Sequence, residues 1–394
     1  MKEISKLAHN IDGQPMFKIL EDIKKLEKKG REIIHFEIGD PDFQTPNNII
    51  RVAHNAMKGG YTHYTSSYGL EEFRKEICNT TKRSRGFLPK INQVLVTPGA
   101  NIAIYYAILC LVDPGKEVIL PDPGFPTYYS VLKMCNVKPV RIPLKEKNDF
   151  RMSPKDIEAK ITSKTRLIII NSPNNPTGSV MTKEELKQTY EIAEKHDLYV
   201  YSDEIYARMM HDNLKFYSPS IYDKCKKRVI ISNGFSKSFA MTGWRLGAVI
   251  GPKEVIDKMS LLLQTTSSCV SPFIQKAGIE AIIGNQKKIK QMMHTYQKRR
   301  DILVEGLNSI PNIQCIKPQG TFYIFANIKK TDKSSEQIAD FLLKDAGVAV
   351  LPGTNFGKHG EGYIRLCYAT NLENIKKGID RIKKSMRKIN EKRK

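Results

Sequence analysis

Long apolar runs are missing from this chain. Its purely aliphatic stretches, such as Leu167 to Ile170, are far shorter than the ~20 residues that a membrane helix needs. The opening stretch MKEISKLAHN is charged and has no apolar centre, so no secretory leader is expected and the location expected is cytoplasmic. No CxxC, no HExxH and no paired Cys/His spacing occurs, so no metal site is expected. The seven cysteines (Cys78, Cys110, Cys135, Cys225, Cys269, Cys315 and Cys367) are odd in number and sit mostly in apolar surroundings. That suits reduced thiols better than a disulfide framework. Internal repeats and low-complexity tracts are also missing, which excludes a solenoid or a linker-like chain. Acidic residues are scarce beside basic ones: 41 against 64, a net charge of +23.

What is there describes a globular protein. Apolar residues make up 40% and charged residues 27% of the 394, which excludes a disordered or collagen-like chain. That length corresponds to roughly two to three domains. The basic excess favours polyanions, acidic lipids or phosphorylated ligands. It is densest from Lys376 to Lys394, with ten basic residues and two acidic ones. Ile375, Ile379, Ile382, Met386 and Ile389 fall at spacings of four and three there, which predicts an amphipathic helix. Such a helix either docks its apolar stripe and leaves a solvated basic face, or binds nucleic acid or a membrane surface. No interleaved aromatic and basic residues support the second reading, and no specific nucleic-acid or membrane partner is expected.

The middle of the chain alternates β-rich runs with helical patterns. Strands are expected at Gln93–Val96, Glu117–Leu120, Val137–Ile142, Thr165–Asn171, Leu198–Ser202, Arg228–Asn233 and Leu246–Ile250. Helices between them include Asn101–Leu111 and Lys183–Lys195. The second opens on Thr182 with Glu185 three residues on, a capping box. This alternation implies an α/β fold with a mainly parallel sheet and helices on both faces. After Pro252 the pattern becomes α+β. Helices are expected over Lys253–Thr266, Pro272–Leu307 and Ser334–Asp345, and strands at Thr321–Ala326, Val348–Leu351 and Tyr363–Cys367. The expected organisation is an N-terminal segment, 1–45, packing with a small domain, a large domain over 46–285, and the small domain over 286–394.

Open parallel sheets bind ligands outside the carboxyl ends of their strands, and four constellations fall at such ends. Thr97-Pro98-Gly99-Ala100-Asn101 is either an ordinary strand–helix turn or an anion cup of backbone N–H groups at a helix start. Asn171-Ser172-Pro173-Asn174-Asn175-Pro176-Thr177-Gly178 is a rigid loop rich in side-chain amides, suited to ligand contact. In Tyr201-Ser202-Asp203-Glu204-Ile205-Tyr206, Asp203 ends an apolar strand. It either caps the next helix or holds a cation, such as a protonated heterocyclic nitrogen. In Ser236-Lys237 followed by Gly243-Trp244-Arg245, a lysine after a strand end suits Schiff-base chemistry, with serine and arginine as phosphate ligands.

In this order and spacing these residues resemble the class I aminotransferases, pyridoxal-phosphate enzymes of fold type I. The resemblance covers essentially the whole chain and points to the prokaryotic aspartate and aromatic branch. It implies a large domain built on a mostly parallel sheet, with a smaller α+β domain. Lys237 resembles the lysine that holds the cofactor as an internal aldimine and moves the proton at Cα. Asp203 resembles the carboxylate that keeps the pyridine nitrogen protonated. Asn175 and Tyr206 match the pair that hydrogen-bonds the ring 3-oxygen. Ser236 and Arg245 match phosphate ligands, with Gly99, Ala100 and Asn101 completing the cup, and Phe125 matches the aromatic that stacks on the ring. Arg365, in Tyr363-Ile364-Arg365-Leu366-Cys367, resembles the grip on the substrate α-carboxylate, where Gly39 and Asn175 also contribute. Tyr64 resembles a tyrosine that reaches the neighbouring subunit's phosphate, which implies a homodimer with shared sites.

Two positions depart from the family pattern. Gly234 stands where some members carry serine, which leaves the phosphate work to Ser236. Asn101 stands where some aspartate-using members carry lysine. Gly99-Ala100-Asn101 and the segment Asn233–Arg245 look closer to archaeal aromatic aminotransferases. The implied activity is transfer of an amino group from an aspartate-like or aromatic L-amino acid to a 2-oxo acid such as 2-oxoglutarate. A lyase, racemase or decarboxylase on the same fold is the alternative. A basic binding protein on a relic fold is a third reading, against which the intact Lys237, Asp203 and Arg245 speak.

Overall fold

Valine, leucine and isoleucine fill the central strands because both faces of the main sheet are covered. Val94–Val96, Leu167–Ile170 and Val229–Ile231 are all fully buried in the computed structural model of the chain. The structure describes residues 3–9, 11, 13 and 16–391. The ends of the opening charged stretch and of the basic tail (Met1, Lys2, Asn10 and Lys392, Arg393, Lys394) lie outside the described residues.

In chain order the strands are β1 (Ile34–His35), β2 (Val94–Thr97), β3 (Glu117–Asp122), β4 (Lys138–Pro143), β5 (Thr165–Asn171), β6 (Tyr199–Asp203) and β7 (Val229–Gly234). They continue with β8 (Gly247–Ile250), β9 (Gln314–Cys315), β10 (Tyr323–Asn327), β11 (Val348–Ala349), β12 (Leu351–Pro352) and β13 (Tyr363–Cys367). The main sheet has the order β2-β8-β7-β6-β5-β3-β4. Five of its strands, β3 to β7, run parallel, and β8 is antiparallel to both neighbours. One hydrophobic cluster fills each face. Helices Ala100–Leu111 and Lys253–Ser267 pack together on one side, while Asn47–Lys58, Glu71–Arg85 and Pro272–Ile283 pack together on the other. A second sheet, ordered β12-β13-β10-β9, is antiparallel. The short pair β1–β11 is parallel and brings the N-terminal segment onto the later part of the chain.

Three expected elements differ from those observed. The helix expected over Pro272–Leu307 is two, Pro272–Ile283 and Lys287–Asn308. The chain turns extended at Gly284, and Gln286 Nε2 donates back to the carbonyls of Ala281 and Gly284 at 3.0 and 2.9 Å. Side-chain periodicity does not register such a break, because the apolar stripe resumes on both sides. The strand expected over Val348–Leu351 is also two, β11 and β12, each joined to a different sheet. The helix expected over Ser334–Asp345 is α-helical only over Ser335–Phe341 and widens to a π turn over Leu342–Ala346.

The terminal helix Leu372–Glu391 buries Ile375, Ile382 and Met386 and turns Lys376, Lys377 and Lys384 outward. It docks against β1: Gly378 lies so close to the Phe36 ring that a Cβ there would collide with it. The basic face is therefore the solvated side of a docked helix. Among the described residues, no helix is long and apolar enough to cross a membrane.

Candidate active site

Parallel pairing lines up three polar residues at the carboxyl ends of adjacent strands. Asn171 of β5 is opposite Asp203 of β6, and Asp203 is opposite Ser232 of β7. Asn171 ties the ends together. Its Nδ2 donates to the Asp203 carbonyl at 3.2 Å, and its Oδ1 accepts from the Asn175 N–H at 2.8 Å. The Asp203 side chain is buried and accepts from Tyr128 OH at 2.6 Å and from the Ile205 N–H at 3.3 Å. Burial pushes its pKa up to about 6, against the pull of those two hydrogen bonds. Among the described residues no cation pairs with it, and the neighbouring Ser232 hydroxyl is buried without a partner. A buried carboxylate without a cation is costly. This one suits a ligand that brings its own positive charge, such as a protonated ring nitrogen.

Lys237 follows β7 in a loop that turns back toward the N-terminal segment. Its Nζ donates to the Gly39 carbonyl at 2.5 Å and lies 5.9 Å from the centre of the Phe322 ring. Burial lowers its pKa to about 8; Asp40 opposes the drop, and Arg365 and Arg245 add to it. The amine is thus held close to neutral reactivity.

Arg365 sits on β13, opposite Phe325 of β10 and Leu351 of β12, and is fully buried. Its Nη1 donates to Asn175 Oδ1 at 3.3 Å and its Nη2 to the Glu37 carbonyl. The guanidinium lies 4.4 Å from the centre of the Tyr323 ring and 4.8 Å from that of Phe356. Among the described residues its Nε has no partner. A buried guanidinium with no carboxylate, fixed between two aromatic faces, is prepared for an external acid. Tyr323 also meets Tyr206, their hydroxyls 3.1 Å apart. Gly39 must be glycine here, since a Cβ would run into the Tyr323 hydroxyl.

The anion cup forms where β2 gives way to the helix Ala100–Leu111. Gly99 has φ +86°, and a side chain on it would strike the Arg245 guanidinium. The helix N-terminus and Arg245 therefore face one another at close range, as an anion requires. Arg245 is exposed, and its Nη1 donates to the Thr242 carbonyl at 2.7 Å. Ala100 and Ser236 are buried, and Asn101 is exposed. Phe125 stands edge-on to Tyr128 with ring centres 5.7 Å apart, which places it beside the Asp203 network.

The fold thus gathers Lys237, Gly39, Arg365, Asn175, Tyr206, Asp203 and Phe125 into one contact network, with Gly99 and Arg245 together at its edge. Tyr64 is not part of it: the side chain is 87% exposed, with no hydrogen bond or ring contact to the cluster among the described residues. Sequence reasoning missed Tyr128, Tyr323, Ser232 and the Glu37 carbonyl. Tyr128 comes three residues after Phe125 at the start of the helix Pro126–Met134, a spacing that puts both on one face. Tyr323 had no local signal, because only strand pairing brings it to Arg365.

Known proteins are similar to this chain over almost its whole length. The family described as aminotransferase class I and II matches residues 31–382. An aspartate aminotransferase of Pyrococcus horikoshii is 41% identical over 91% of this chain and 92% of its own. An aromatic-amino-acid aminotransferase of Thermococcus litoralis is 38% identical over 90% of this chain and 92% of its own. The solved structure of an alanine aminotransferase from Pyrococcus furiosus superposes with a TM-score of 0.94 at 33% identity, covering 98% of this chain and all of the other. The relatives are amino-group transferases by name, which favours transfer over a lyase, racemase or decarboxylase: this chain belongs to the class I and II aminotransferases.

Proposed function

We propose that the chain binds pyridoxal 5'-phosphate and uses it to move the amino group of an aspartate-like or aromatic L-amino acid to a 2-oxo acid such as 2-oxoglutarate. The observation that carries this reading is the pairing of an uncompensated buried carboxylate, Asp203, with a pKa-lowered amine, Lys237, and an unpaired buried guanidinium, Arg365, in one network. Asp203 would face the ring nitrogen. Asn175 and Tyr206 would hold the ring 3-oxygen, and Phe125 would cover a ring face. Ser236, Arg245 and the N-terminal amides at Gly99, Ala100 and Asn101 would hold the phosphate.

When bound, the cofactor supplies an aldehyde that condenses with amines and a cationic ring that accepts the electron pair left at Cα. The chain's own residues supply the rest. Arg365 grips the α-carboxylate and, with Asn175 and the backbone at Gly39, fixes which bond of Cα faces Lys237. Lys237 Nζ takes the Cα proton. Asp203 keeps the positive charge opposite, so that the developing negative charge is stabilised without solvent reorganisation.

Supporting the substrate class, two of the relatives named above are an aspartate and an aromatic-amino-acid aminotransferase by name. Tyr64, exposed on the single chain, suits a homodimer in which it completes the partner's cup. All seven cysteines are free thiols, which supports a reducing, cytoplasmic setting. The β1–β11 pair supports assigning 1–45 to the small domain over 286–394, with the large domain over 46–285.

The test is a screen of acidic and aromatic donors against 2-oxoglutarate, followed through Arg365→Lys. That change keeps the charge and loses the fork. The KM for the amino acid should rise by about 10- to 100-fold, the worth of one charge-assisted hydrogen bond, with a smaller change in kcat. An unchanged KM would remove Arg365 from the substrate site. A second measurement checks the amine itself. In the cofactor-free chain, labelling of Lys237 by trinitrobenzenesulfonate should rise with pH around a midpoint of about 8, where an ordinary lysine turns over near 10.5. A midpoint at the ordinary value means that the amine is not held neutral by burial.

A further inference from the structure

We propose that the chain carries a second ligand site, for a small organic dianion with an apolar body, in the cavity between the helix Glu71–Arg85 and the loop 207–216. The cavity measures about 420 Å³, enough for a compact metabolite. Its floor is apolar, formed by Ile77, Phe235, Phe239 and Ile282. Its mouth is basic: Arg83 and Lys215 stand exposed around it, and Arg208 lines it.

Ion pairing accounts for only one of the cations here. Arg85 lies on the wall with its guanidinium 5.4 Å from the centre of the Phe216 ring, and its Nε donates to Glu204 Oε2 at 2.9 Å. Both partners are buried, and Glu204 also accepts from Ser202 at 3.1 Å and from Ser218. Glu204 is thereby spent. Among the described residues, Arg83, Arg208 and Lys215 have no carboxylate. Arg83 Nη2 donates to Thr80 Oγ1 at 2.8 Å, and Arg208 Nη1 reaches Gln286 Oε1 at 3.5 Å. Arg208 lies 5.1 Å from the centre of the Phe239 ring. Burial, and after it Arg85 and Arg83, lower the pKa of Arg208, so like charges crowd the same opening. Three cations facing one concave surface repel one another unless an anion joins them. The rings of Phe216 and Phe239 beneath favour a flat apolar body over a bare inorganic ion.

None of Asp203, Lys237, Arg245 and Arg365 lines this cavity. It backs onto the candidate active site through Ile205, whose N–H donates to Asp203.

The probe is naphthalene-1,5-disulfonate, which stays ionised at all working pH values, measured by equilibrium dialysis against the cofactor-loaded enzyme at fixed salt. Binding of one probe per chain is expected, with naphthalene-1-sulfonate weaker. The double variant Arg83→Ala/Arg208→Ala should weaken binding about 10-fold, two partly exposed charge contacts. Lys215→Glu should weaken it independently, and Arg365→Lys should leave it unchanged. Absence of saturable binding overturns the site, as does equal binding by the double variant. Loss of binding in Arg365→Lys would place the dianion in the substrate site instead and end the proposal.

Discussion

Lys237→Ala is expected to lose amino-transfer activity by about 10⁴-fold or more. In the role proposed for it, two functions leave with one side chain: the amine that condenses with the cofactor aldehyde and the base that takes the Cα proton. Positioned proton transfer alone contributes about 10²- to 10⁴-fold, and loss of the covalent step adds to it. In free energy the total is at least about 5 kcal/mol of barrier. The fold should survive. Among the described residues the Lys237 amine makes no ion pair and one hydrogen bond, to the Gly39 carbonyl, so its removal also relieves a buried charge. Circular dichroism melting of the cofactor-free variant should match the parent, while borohydride no longer fixes the cofactor to the chain. Full activity in this variant, or a reduced adduct that maps to another lysine, would overturn the assignment.

Asp203→Asn is expected to be more stable than the parent without cofactor and far less active with it. The sign follows from burial. The folded pKa is raised from 3.8 to about 6. A carboxyl shifted in that direction supports the fold below pH 3.8, and the support is lost as the pH rises through 6. At pH 7 to 8 the cofactor-free chain therefore carries a buried, unpaired charge at a cost on the order of 3 kcal/mol. Asparagine removes the charge; its oxygen can accept from the Ile205 N–H, and its NH2 can donate to the Tyr128 hydroxyl, which faces the other carboxylate oxygen. The gain in melting temperature should appear at pH 7.5 and vanish near pH 3.5. With cofactor bound the carboxylate has its cation, and losing it should lower kcat by about 10³-fold. A variant destabilised at pH 7.5, or one with full activity, contradicts the role given to this residue.

Much of the site was legible because its chemistry is local. The loop with Asn174, Asn175 and Gly178, the acid ending β6 and the lysine after β7 each lie at the end of a run whose composition marks it as a strand. Burial on both faces leaves such runs no freedom in residue type. The strand β8 was legible as a strand but not as antiparallel, since direction is set by the connection that precedes it and not by side-chain pattern. The split at Gly284 was hidden for a related reason: hydrophobic spacing records which face is buried, not where the backbone turns.

By itself, then, the chain's residue order determined an alternating α/β body, a rigid amide loop, and an acid, an amine and an arginine spaced for one cofactor. Tertiary structure alone decided what those groups are worth. Strand register set Asp203 between Asn171 and Ser232 with no cation paired to it among the described residues, and pairing of β13 with β10 laid Arg365 over Tyr323. The return of the N-terminal segment put the Gly39 carbonyl on Lys237. Reactivity here depends on exclusion of water and on the distance between charges, and both are properties of packing between segments far apart in the chain.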